Sequence, residues 1–293
     1  MIPINNSPEN QSLPSSAPTR PKPQQRDWVA SMLIGLALLF LSLLIYLPAL
    51  NVFVQAFSKG VGYFFESLQK PVALHAMRMT LSLAAVAVPL NVVFGLCTAM
   101  ALARKRFRGR TFLLSLIDLP FSISPVVAGL MIVLLYGRQG WLGDWLQAHN
   151  IKILFAFPAM VLATAFVSMP FVAREVIPVL EEIGTDQEEA AETLGASKWQ
   201  VFRRVTLPSI RWGLLYGILL TNARSMGEFG AVSVVSGNII GKTQSLPLYV
   251  EQEYKEYNTE AAFAASVLLA LLAVVTLIIK EILERKTRVK DGE

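Results

Sequence analysis

The sequence predicts an all-α, polytopic membrane protein with six transmembrane helices and both termini in the cytoplasm, and three observations predict it. Of the 293 residues, 54% are hydrophobic and 16% are charged, and the mean hydropathy is +0.50, whereas soluble domains carry about 25% charged residues. Stretches without Asp, Glu, Lys or Arg lie between Asp27 and Lys59, Arg78 and Arg104, Asp118 and Arg138, Lys152 and Arg174, and Glu260 and Lys280. Each approaches or exceeds the roughly 20 residues that a helix needs to cross about 30 Å of hydrocarbon. A sixth candidate starts near Trp212 and holds two charges. The loops are also unequal: 18 of the 26 Lys and Arg residues fall on the side that holds both termini, 7 fall on the other side, and Arg224 lies within a span. Positive loops stay in the cytoplasm, which orients the chain.

Residues 1–27 are rich in Pro, Ser, Asn and Gln and read as a disordered cytoplasmic tail, too polar to bury a core. The apolar stretch that follows is too long for a signal peptide and lacks a clear cleavage site. Residues 28–72 hold the first helix, from near Trp28 to about Leu50, with Trp28 and Tyr46 suited to the interfaces, and then part of an external segment over 51–77. A core follows over 73–280 and a second cytoplasmic tail over 281–293. The second helix covers roughly Met79 to Leu102 and is expected to kink at Pro89, whose ring removes a backbone donor. The basic loop RKRFRGR at 104–110 returns the chain.

The third span opens with DLPFSISPVVAGL at 118–130, which puts Asp118, Pro120, Ser122, Ser124 and Pro125 at or near membrane depth. A broken helix is tolerated there if protein or water surrounds it. Asp118 belongs at the cytoplasmic end or beside a basic partner. The fourth helix, from about Ile153 to Ala173, contains Pro158 and Pro170, and the last runs from about Ala261 to Ile279. No repeat and no heptad pattern is present, so one compact helical domain is the simplest organisation.

Between the fourth and fifth spans, the loop 174–211 contains EAAETLGASKWQVFRRVTLP at 189–208. Thr185 and Glu188 have the spacing of a capping box, Gly195 can end the helix so started, and Ser197 with Gln200 repeats the box before Pro208. The segment therefore reads as helix, glycine turn, helix, with Ala190, Ala191 and Leu194 on one face and Trp199, Phe202 and Val205 on another. An amphipathic hairpin on lipid headgroups, with Arg203, Arg204 and Arg211 toward phosphates, is one reading. Against it stand Glu181, Glu182, Asp186, Glu188, Glu189 and Glu192, which an anionic surface would repel. Acidic groups beside small residues suit a protein partner that approaches closely.

The order Glu189, Ala190, Ala191, then Gly195, then Val205, Thr206, Leu207 and Pro208 resembles the EAA-x3-G-x9-I-x-LP motif of permease subunits of binding-protein-dependent ABC importers, with Val205 replacing the usual isoleucine. NARSMGEFGAVSVVSG at 222–237, DLPFSISPVVAGL and FRRVTLPSIRWGLLYG at 202–217 are similar to the sulfate/thiosulfate branch and its W-type subunits, a resemblance extending from about Trp28 to Lys280. It implies the type I ABC importer permease fold and a coupling loop whose residues are Glu189, Ala190, Ala191, Gly195, Leu207 and Pro208. The implied partners are a second permease subunit, two ATPase subunits that bind ATP and Mg, a periplasmic sulfate/thiosulfate-binding protein, and membrane lipid. No cofactor and no catalysis is expected in this chain itself. Molybdate, tungstate and phosphate permeases share the coupling pattern, and an ATP-independent anion channel or secondary transporter is the alternative from another class.

Arg224 and Glu228, spaced i, i+4, lie deep in the fifth span, where ionisable groups are costly unless paired, buried in protein or wet. They can be a neutralised packing pair, or a gate at which Arg224 attracts an oxyanion and Glu228 restrains it. Ser122 and Ser124 can offer hydroxyls to a passing anion or bond to nearby backbone. The +5 net charge is explained by membrane edges, so nucleic acid is not expected as a partner. GNIIGKT at 237–243 has one residue too few between its glycines for a phosphate-binding loop. Cys97, the single cysteine, is expected to pack within the second span, and His75 and His149 are expected in separate external loops without metal-ligand spacing.

Overall fold

The computed structural model describes residues 28–105 and 107–288; the tail expected over 1–27 and residues 289–293 of the second tail lie outside them. The chain divides into two compact units, Met1–Ala49 and Leu50–Glu293. In the first, α1 (Trp28–Leu41) passes through a π-helical turn, Ser42–Tyr46, into the start of α2 (Leu47–Ala56). Every described side chain from Trp28 to Ala49 is exposed within its own unit. The segment Ala30–Ala56 is long and apolar enough to cross a membrane.

The second unit begins within α2, which runs past Leu50 to Ala56 because the uncharged Asn51 and Gln55 do not break a helix. Helix α3 (Val61–Gln69) follows a glycine at φ +91, and α4 (Pro71–Arg104) starts at Pro71 rather than near Met79. A proline lacks the N–H that a first helical turn leaves unused, so it starts a helix well. Charge-free stretches mark membrane depth, not helix ends, and most of the expected external segment is helical. Along α4, Ala76, Thr80, Leu83, Ala84, Ala87, Asn91, Gly95, Ala99 and Leu102 are buried, a stripe of mainly small residues. Helix α4 continues without interruption through Pro89.

Helices α5 (Arg110–Ser122) and α6 (Pro125–Tyr136) meet at a bend of 108°. Pro125 forces the break expected from the sequence, because the residue before a proline is pushed out of the helical region, and Ser124 sits at ψ 136°. After the short α7 (Gly143–Ala148), α8 (Phe157–Ser168) and α9 (Pro170–Ile183) form one candidate span of 27 residues. This span runs past Ala173, since Arg174 is neutralised by Asp118 across 2.7 Å. Asp118 therefore has the basic partner that the sequence suggested.

The loop forms α10 (Asp186–Thr193), α11 (Lys198–Val201), a π-helical turn Phe202–Thr206, and α12 (Leu207–Ser209). Then come α13 (Arg211–Met226), α14 (Gly230–Ser236), α15 (Leu246–Lys255) and α16 (Thr259–Arg288). Helix α16 carries on beyond Lys280, into the segment expected to be a tail. Among the described residues, four helical segments are long and apolar enough to cross a membrane, or five if the bent pair α5 and α6 is one span. The expected span from Trp212 is a broken one, because α13 has 16 residues and stops before Glu228.

Among the described residues, four buried hydrophobic clusters hold the bundle, two of them central to the loop and the chain breaks. One joins Leu83, Met160, Ala163, Val232, Val235 and Leu248, and the other joins Leu102, Ile117, Val172, Val176, Leu180 and Ile210 near the loop. Gly95 lets α4 and α9 approach closely: a Cβ there would stand 2.6 Å from Val172 Cβ. Small residues at such crossings replace the hydrophobic drive that lipid removes. Gly95→Val is expected to cost about 1–3 kcal/mol through overpacking, read as a lower thermal midpoint of the detergent-solubilised protein; an unchanged midpoint would mean that these helices separate freely.

Candidate functional site: a helical loop and a buried ion pair

Helix α9 ends at Gly184, whose φ of +69 suits a residue without a side chain, and Thr185 then leads into α10. The capping box expected of Thr185 and Glu188 does not form. Thr185 makes no side-chain cap, and its hydroxyl donates instead to Glu189 Oε1 at 2.8 Å. Glu188 turns inward, where its Oε1 accepts from Arg104 Nη2 at 2.8 Å and from Thr206 Oγ1 at 2.7 Å. A charge-assisted bond to a guanidinium is stronger than a bond to a neutral backbone donor, so the arginine wins the carboxylate.

The glycine turn forms as expected. Gly195, at φ +86, donates to Glu192 O at 2.9 Å, and Ala196 N–H donates to Ala191 O at 3.1 Å, the paired bonds of a Schellman end. The second capping box is also present: Ser197 N–H reaches Gln200 Oε1 at 2.8 Å and Gln200 N–H reaches Ser197 Oγ at 3.4 Å. Pro208 does not end the helix. The turn Phe202–Thr206 widens so that Leu207 N–H bonds to Phe202 O, and Pro208, within the first two residues of α12, has no donor to lose. The chain turns at Ile210, which is wholly buried.

What seats the segment is therefore Val201, Thr206 and Ile210, all buried, rather than the face of Trp199, Phe202 and Val205. Phe202 and Val205 are half-buried, while Trp199 is 66% exposed and stacks on Phe202 at 5.5 Å. Glu189, Ala190, Gly195 and Pro208 are exposed, Ala191 and Leu207 are half-buried, and Leu194 is 90% exposed. Leu194 and the outer part of Trp199, beside acidic α10, form an exposed surface among the described residues.

Two arginines of the basic loop are absorbed by helix ends. Arg104 Nη1 donates to Leu180 O at 2.8 Å, in the last turn of α9, and Arg110 Nε donates to Leu102 O at 2.9 Å, in the last turn of α4. Arg110 also pairs with Glu181. Each cation meets carbonyls left unpaired at the negative end of a helix. Nothing in the sequence marks Glu188 and Arg104 as partners, 84 residues apart; the available signal was only a surplus of opposite charges at the same membrane edge.

Arg224 and Glu228 do meet, Nη1 to Oε2 at 2.6 Å, but they do not share a helix. Helix α13 ends at Met226, and Glu228 sits in the break, where its Oε1 accepts from Ala231 N–H at 2.8 Å in the first turn of α14. One carboxylate thus neutralises a cation and satisfies an open helix start. Glu228 is 3% exposed, so the pair is desolvated mainly on its acidic side. Behind it, Asn91 Nδ2 donates to Ser168 Oγ at 2.8 Å, and Ser168 lies 3.3 Å from Ser225 Oγ, linking α4, α8 and α13.

The break before α14 packs on the start of α6, because a Cβ on Gly230 would stand 2.8 Å from Pro125 Cβ. Ser122 and Ser124 border that region and are exposed, and Ser124 does not cap α6. The structure brings Ser124 and the Arg224–Glu228 pair to neighbouring chain breaks, without a bond between them. GNIIGKT is a turn with Gly237 and Gly241 at φ +67 and +69, and no strand precedes it among the described residues. Cys97 is exposed rather than packed inside. His75 lies within α4, not a loop, and His149 Nδ1 lies 2.8 Å from Trp145 O. Among the described residues no group of three His, Cys, Asp or Glu could hold a metal ion.

Comparison with known proteins agrees with this architecture. Residues 91–289 match the family model described as binding-protein-dependent transport system inner membrane component. The chain is 63% identical over 259 residues to the sulfate transport system permease protein CysW of Synechocystis sp., covering 88% of this chain and 94% of that one. It is 52% identical over 258 residues to CysW of Escherichia coli (88% and 89% covered) and 41% identical over 244 residues to CysT of the same organism (83% and 88%). A chain of a bacterial ABC transporter involved in the import of alginate superposes with a TM-score of 0.77 at 18% identity, covering 89% of this chain and 96% of that one, which shows a shared fold. The chain belongs to the inner-membrane components of binding-protein-dependent transport systems, and it is a multi-pass, helical membrane protein with the ABC importer permease fold.

Proposed function

We propose that this chain is the transmembrane permease subunit of an ATP-driven importer for sulfate and thiosulfate. The observation that carries this reading is its near-full-length similarity to sulfate permeases of the W type. The similarity to CysT supports a heterodimer with a second, related permease subunit. Two ATPase subunits and a periplasmic sulfate/thiosulfate-binding protein complete the assembly, and lipid surrounds α1, whose described side chains have no protein cover within its unit. The chain is not itself an enzyme, and ATP and Mg belong to the ATPases.

Six membrane segments with both termini in the cytoplasm follow if the bent pair α5 and α6 and the broken α13–α14 region each count once beside the four long spans. The Lys and Arg asymmetry supports that orientation. On this topology the loop from α10 to α12 faces the ATPases. Glu189, Ala190, Ala191 and Gly195 present its small, acidic, outward part, and Leu207 and Pro208 lie on its return, between the buried Thr206 and Ile210. Closure of the ATPase dimer moves the loop, and rigid-body motion of the helices exchanges inward- and outward-facing cavities.

Arg224, Glu228, Ser122 and Ser124 are the proposed pathway residues. Two chain breaks meet there, and unwound backbone in a membrane belongs where it is buried in protein or lines a cavity. Arg224 supplies positive charge to a divalent oxyanion, and Glu228 restrains that charge when the pathway is closed. Selectivity among oxyanions is assigned mainly to the binding protein.

A strain lacking this chain should fail to grow on sulfate as sole sulfur source and grow normally on cysteine; normal growth on sulfate would remove the substrate assignment. Gly195→Asp forces a side chain onto φ +86, at a cost of roughly 1–2 kcal/mol for a left-handed residue. It should abolish both ATPase pull-down and sulfate uptake while membrane insertion persists, and survival of both activities would reject the loop as the coupling element.

A further inference from the structure

We propose that Glu188 and Arg104 form the joint that carries movement of the loop into the membrane helices, a positioning role that rests on the coupling reading above. Between α9 and α10 the chain link is Gly184 and Thr185 alone. Gly184 sits at φ +69, and nothing lies within 4 Å of the place where its Cβ would stand. Glycine moves readily among backbone conformations, so the covalent link by itself is a swivel that would absorb a push on α10.

Side chains remove that freedom. Glu188 Oε1 holds both Arg104 and Thr206, and Arg104 holds Leu180 O as well. Arg104 is the last residue of α4, Leu180 lies in the last turn of α9, and Thr206 ends the π-helical turn that leads toward α13. One carboxylate therefore ties α10 directly to the end of α4 and to the π-helical turn, and through Arg104 to the end of α9. The side chains of Arg104 and Glu188 are 13% and 17% exposed, and Thr206 is 2% exposed, so water competes weakly for these bonds.

Displacing Arg104 displaces a packed core as well, since Leu102, Val176 and Leu180 share a cluster just beneath it. Close packing transmits such a shift because interiors have little room to absorb it. Glu189, the neighbouring acid, cannot serve: it is exposed, and the hydrogen bond it makes is to Thr185, within the same loop.

The test uses the complete transporter in proteoliposomes, with sulfate moved per ATP hydrolysed as the readout and ATPase binding measured in parallel. Glu188→Gln keeps an oxygen for Thr206 and loses the charge that holds Arg104. This variant and Arg104→Gln should each lower sulfate per ATP about tenfold while ATPase binding and hydrolysis continue. The double variant should fall no further than the worse single one, because both break one connection. An unchanged ratio in Glu188→Gln, additive losses in the double variant, or loss of ATPase binding in Glu188→Gln would each overturn the joint. Retained docking together with retained uptake in Gly195→Asp would instead strike the coupling reading itself, so the two failures are separable.

Discussion

Arg104 sits where the end of α4, the end of α9 and the start of the loop converge, and the 2.8 Å contact to Glu188 lets an arginine remain there with little water around it. A half-buried cation needs both a counter-charge and acceptors for its remaining hydrogens. Glu188 provides the first and Leu180 O accepts from Nη1, while Nε is buried without a hydrogen-bond partner among the described residues. Removing one partner of such a pair costs about 3–5 kcal/mol, because the other is left charged and unpaired. The geometry of the loop follows from this requirement: Glu188 is drawn inward, Thr185 is released to Glu189, and the outer face of α10 is left to Ala190 and its acidic neighbours.

The same demand for satisfied polar groups governs the interior of the bundle. Both breaks in the bundle, at Ser124 and at Glu228, occur where another segment packs against them. Glu228 closes its own break by accepting from Ala231 and pairing with Arg224, and the Asn91–Ser168–Ser225 contacts lie close behind. In hydrocarbon each unsatisfied backbone group costs several kcal/mol, so irregular backbone persists only with such support.

Features that depend on neighbours in the sequence were legible from it. The Pro120–Pro125 break, the Gly195 turn and the Ser197–Gln200 box are short-range consequences of ring, missing Cβ and hydroxyl, and all three are present. Helix ends were less legible, because absence of charge reports membrane depth while Pro71 and Asn51 are compatible with helix outside it. The Thr185–Glu188 box failed for a long-range reason: local spacing offered Glu188 a backbone donor, and folding offered it Arg104. Leu194 and Trp199 were expected on apolar faces, but the loop is seated by Val201, Thr206 and Ile210, a choice made by the three-dimensional course of the π-helical turn.

Under the proposed reading, this chain moves an anion only when another protein drives the loop. The most direct measurement is radiolabelled sulfate uptake into proteoliposomes, comparing this chain with its paired permease alone against the full assembly with ATPases, binding protein and ATP. The account predicts uptake only in the full assembly and only with hydrolysable ATP. Sulfate flux through the permease subunits without ATPase would contradict it and make the chain a channel or secondary transporter.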